Sequence, residues 1–69
     1  MDEQSIKQTA YDIFQTILST NRRLGKPNTA SIYEIQRYLN AGANKLEIMA
    51  WVLRGEEVGT MRVILGVNK

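Results

Sequence analysis

Ile6, Ala10, Ile13, Phe14, Ile17 and Leu18 recur at three- and four-residue spacing, with Lys7, Asp12, Gln15 and Ser19 between them. A period near 3.6 gathers the first set on one stripe and predicts an amphipathic helix over residues 5–21. Ser5 followed by Gln8 fits a capping box at its start. Arg22 and Arg23 complement the negative end of the helix dipole, and Gly25 supplies a stop. Lys26-Pro27-Asn28-Thr29-Ala30 then reads as a connector, because Pro27 cannot continue a helix and biases Lys26 towards an extended backbone. Within it, Thr29 to Ser31 is a candidate short strand.

The pattern then repeats over a shorter span. Ser31 and Glu34 form a second capping-box pair, and Ile32, Ile35 and Leu39 share a face, so a helix is expected over 31–40 with Tyr33, Gln36 and Arg37 outward. Asn40-Ala41-Gly42-Ala43 follows as a tight turn, Asn40 and Gly42 being the residues that enter a left-handed backbone most cheaply. Asn44 and Glu47 open a third helix over 43–54. At 100° per residue its inner face is Leu46, Met49, Ala50 and Leu53, leaving Asn44, Glu47, Ile48 and Trp51 largely outward. After Gly55 and Gly59 the pattern changes period: Met61, Val63, Leu65 and Val67 alternate, as a half-buried strand over 60–67 requires.

Composition narrows what such a chain does. At 69 residues it makes a single domain with one small core, poorly suited to a multi-step catalytic cleft. Neither cysteine nor histidine is present, which removes disulfides, zinc sites, Cys or His nucleophiles and imidazole switches. No Gly-rich phosphate loop occurs, and the carboxylates sit where caps and solubility explain them. We therefore expect no enzyme, metal, cofactor or small-molecule substrate. No apolar run approaches the roughly 20 residues that span a bilayer, and the acidic, polar MDEQSIKQ start is the reverse of a secretory signal, so a cytoplasmic protein without a membrane partner is expected. The net charge of +2 is unevenly spread, with Arg22, Arg23, Lys26, Arg37 and Lys45 forming a basic stripe between acidic zones.

Three helices with a terminal strand or wing resemble the winged-helix branch of the helix-turn-helix DNA-binding superfamily, which implies a mainly α fold with a small β element. With Asn40 in the turn, Ile35, Leu39, Ala41, Leu46 and Met49 occupy the positions that are apolar in that superfamily, and Gln36 departs from its usual small residue. With Gly42 in the turn, Ile48 and Trp51 are buried instead, at the expense of Arg37 and Tyr38 at inner positions.

The resemblance implies double-stranded DNA as partner, read by helix 43–54 of a small transcriptional regulator or accessory factor working as a dimer. Asn44 and Lys45 would reach bases, with Arg54 at the far end; Arg37, Arg22, Arg23 and Lys26 would serve phosphates, and Arg62 the wing contact. Against this, Asn44 is equally a helix cap, Glu47 repels phosphates, and Ile48 and Trp51 are poor residues to leave in water. Either the first helix covers Trp51, or Ile48 and Trp51 form a protein contact such as a homodimer seam. The competing function is thus a protein-interaction or dimerisation module on a helix-turn-helix scaffold without DNA binding.

Overall fold

A computed structural model describes residues 2–66, which form four helices: α1 (Glu3–Leu24), α2 (Ile32–Asn40), α3 (Lys45–Arg54) and α4 (Thr60–Ile64). Helix α1 starts earlier than Ser5 because Asp2 is the cap, its carboxylate accepting the Ser5 N–H at 2.8 Å. That hydrogen bond first, and then one from the Ser5 side chain, hold the Asp2 carboxyl below its usual value. The helix runs on to Leu24 and ends where Gly25 takes the left-handed conformation with φ 70°. Its buried stripe is Ala10, Ile13, Ile17 and Asn21, as the spacing requires.

Residues 25–31 are irregular, so the short strand at Thr29 to Ser31 is absent. Ser31 caps α2 through the Glu34 N–H, but the Glu34 carboxylate is drawn away to accept the Tyr38 hydroxyl at 2.7 Å. Gly42, with φ 105°, makes the turn between α2 and α3. Asn44 then caps α3 in a complete capping box: its side-chain oxygen accepts the Glu47 N–H, and the Glu47 carboxylate accepts the Asn44 N–H, both at 2.9 Å.

Two further expectations are overturned. The first concerns the facing of α3. Ile48 is fully buried, whereas Leu46, assigned to the inner face, is 78 % exposed. Tyr38 rather than Leu39 fills the inner position of α2, and its hydroxyl accepts the Trp51 indole N–H at 3.2 Å. That bond turns Trp51 and Ile48 inward and Leu46 outward. The arrangement matches the alignment with Gly42 in the turn, except that Arg37 stays exposed.

The second is the strand or wing over 60–67. Residues 60–64 are helical, no strand occurs among the described residues, and Val67 lies outside them. A lone strand leaves its ladder groups without partners, whereas a helical turn satisfies them internally, as the Leu65 N–H does with the Met61 carbonyl at 2.9 Å. Met61 is fully buried and pins α4 to the core formed by Ala10, Ile13 and Ile17 of α1, Ile35 and Tyr38 of α2, Ala43 and Ile48.

Candidate functional site

Two polar arrangements fix how α3 is presented. The first is a relay across α2 and α3, in which the Trp51 indole N–H donates to the Tyr38 hydroxyl and that hydroxyl donates to Glu34. Burial pushes the Tyr38 hydroxyl above its ordinary value of 10.0, and the Glu34 hydrogen bond raises it further against a smaller opposing effect of the Trp51 N–H. Tyr38 therefore stays a neutral donor at any physiological pH. A cavity of about 190 Å³ lies beside the relay, bounded by Ser31, Glu34, Ile35, Tyr38, Trp51 and Val52.

The second arrangement joins α3 to α4. Gly59 has no side chain with which to cap α4, and the Glu47 carboxylate supplies that cap from α3 by accepting the Thr60 N–H at 2.6 Å. With its other oxygen on the Asn44 N–H, one carboxylate serves two helix N-termini. These two backbone hydrogen bonds, that of Asn44 first, hold the Glu47 carboxyl below its usual value.

The residues expected at DNA differ in how free they are. Asn44 is committed through its oxygen to the cap, and Arg54 pairs with Glu56 at 3.2 Å. Lys45 is exposed in the first turn of α3. Arg22 and Arg23 line a shallow surface with Gln15 and Ser19 near the end of α1. Arg37 borders a groove with Tyr38 and Ile64 between α2 and α4, while Lys26 is exposed in the connector and Arg62 on α4. Among the described residues no ion pair involves Arg22, Arg23, Lys26, Arg37, Lys45 or Arg62.

The two residues expected at a protein interface also part company. Ile48 is a core residue and offers no surface. Trp51 is half-buried and held by the relay. What α3 does present is Leu46, with Met49 and Leu53 half-buried on the same side. Periodicity missed Leu46 because only Lys45, Glu47 and Arg54 interrupt an otherwise apolar helix, so several rotations look alike. Tyr38 had a readable signal in the i, i+4 spacing from Glu34.

No group of three or more residues suited to hold a metal occurs among the described residues, and no helix among them is long and apolar enough to cross a membrane. Comparisons with protein-family models, curated proteins and solved structures found no match.

Proposed function

We propose that this chain is a cytoplasmic protein-interaction module, in which the α2–turn–α3 scaffold holds the outer side of α3 out for another protein surface. The observation that carries this reading is Leu46, 78 % exposed on a helix that is apolar almost all round. A helix of that composition is ordinarily covered on all sides, yet only Ile48 and Ala50 of α3 are buried. The relay through Tyr38 and the shared cap through Glu47 support the reading by fixing the rotation of α3, so that its surface is preorganised and binding orders little.

A photo-activatable phenylalanine analogue placed at position 46, and at exposed Gln15 as control, tests this in the protein's native cells. A protein adduct formed at 46 and absent at 15 is the expected result. No adduct at 46 sinks the proposal.

A second reading, duplex DNA binding, is favoured by the exposed cations that lack carboxylate partners among the described residues. It must still meet the objection from Glu47, which the two N–H groups it accepts keep ionised at the start of α3. It requires amide shifts on titration with duplex DNA at low salt, lost at high salt and on charge reversal of Arg37 and Lys45. A silent spectrum at low salt removes it.

A further inference from the structure

Resting on the interaction-module reading, we infer that the partner of α3 is a second copy of this chain, packed antiparallel across a two-fold axis that passes beside Met49. The order of side chains on the outer side is self-complementary. Leu46 and Leu53 lie three and four residues either side of Met49, so reversing a second α3 sets each Leu46 against the other copy's Leu53 and brings the two Met49 side chains together. Leu46 is the exposed large apolar residue of α3, and Met49 and Leu53, which pack on the core yet stay only half-buried, complete a shallow seam with it.

The charges fit the same direction. In an antiparallel pair the exposed Lys45 of one copy meets the carboxyl end of α3 in the other, where the last carbonyls carry the negative end of the helix dipole. Arg54 is tied to Glu56 at that end, which leaves Glu57, with no ion pair among the described residues, to face the incoming Lys45. A parallel pair would set Lys45 against Lys45 and Glu57 against Glu57. Size sets the strength: α3 is about 15 Å long by its ten residues and about 10 Å across, a footprint of about 150 Å², far short of the roughly 800 Å² per partner of a standard interface. The association is therefore weak and in rapid exchange.

Sedimentation equilibrium of the full chain, from about 20 µM to about 1 mM, spans the range where so small an interface forms. A concentration-dependent monomer–dimer equilibrium is expected. Leu46→Glu should weaken it by roughly tenfold or more while leaving the amide spectrum folded, since a charge desolvated in an apolar seam costs more than the contact it replaces. Lys45→Glu should weaken it less, and the double variant Lys45→Glu with Glu57→Lys should restore it. A monomer at every concentration overturns the inference, as does a dimer indifferent to Leu46→Glu or a charge swap without rescue. If the chain stays monomeric while position 46 crosslinks to a different protein, the interaction-module reading stands and only the self-association falls. If position 46 crosslinks to nothing, that reading falls with it.

Discussion

Helices α1 and α3 meet the same core by different means. α1 gathers Ala10, Ile13 and Ile17 on one buried stripe, with Asn21 the one polar residue in it and Tyr11 and Leu24 the large apolar residues left out, so amphipathicity is enough to fix its rotation. α3 carries too many apolar residues for that. Its rotation is decided by a hydrogen bond from Trp51 to Tyr38 and by a carboxylate, Glu47, that ties its first turn to α4. Where hydrophobic pattern is degenerate, polar groups choose among the packings it allows. The same groups give α3 an apolar residue, Leu46, that the core does not use.

The largest effect is expected at Ile48, the α3 residue that the core takes in place of Leu46. Ile48→Ala removes a fully buried side chain and should cost about 2–5 kcal/mol, enough to unfold much of a domain this small. Urea denaturation followed by Trp51 fluorescence measures it. A loss under about 1 kcal/mol would return Ile48 to the surface and undo the rotation of α3.

Next come the groups that set the rotation. Tyr38→Phe keeps the ring but strips the relay, leaving the half-buried Trp51 N–H without its partner, and should cost about 1–3 kcal/mol in the same assay. It also probes alkaline behaviour. Because Tyr38 titrates above its ordinary value when folded, its stabilisation is whole below pH 10 and is lost as pH rises through the raised folded value. The variant should flatten that part of the stability profile. An unchanged profile would mean that the relay does not form in solution.

Gly59 tests the joint between α3 and α4. A Cβ there would run into the Glu47 carboxylate, and its backbone, φ 57° and ψ −135°, is one that L side chains rarely adopt. Gly59→Ala should cost about 1–3 kcal/mol and loosen α4 first, visible as faster amide exchange at residues 61–65. Gly55→Ala, with φ 69° but nothing near its Cβ, should cost only about 1 kcal/mol. The Glu47 cap adds an acid limb. Its depressed folded value means a contribution complete above the ordinary value near 4.5 and lost as pH falls through the folded one. Glu47→Gln, with a single acceptor oxygen for two donors, should loosen α4 at neutral pH and remove that limb.

The sequence was legible in proportion to how strongly one periodicity prevailed. α1 and α2 are where their apolar spacing puts them, and the Asn44 and Glu47 capping box is present as the residue types require. Residues 60–66 alternate like a strand, but the burial of Met61 and the cap from Glu47 come from distant parts of the chain, and local pattern is blind to both. The candidate surface was legible only in outline. That α3 has one apolar face too many is plain from its composition; that the spare residue is Leu46 and not Ile48 depends on Tyr38, which sits beside the more apolar Leu39.

The smallest effect is expected at the exposed position 46 of α3. Leu46→Ala deletes a large apolar side chain, and in α1 the like change at Ile13 would open a cavity. At position 46, with 78 % of the residue already in water, stability at low protein concentration should change by no more than about 0.5 kcal/mol. Alanine is also the better helix former, which offsets part of any packing lost against Met49. Urea midpoints in dilute solution measure this, with Ile13→Ala as the internal standard. A Leu46→Ala cost close to that of Ile13→Ala would mean that the monomer's own core covers Leu46, and α3 would then have no surplus apolar face to offer a partner.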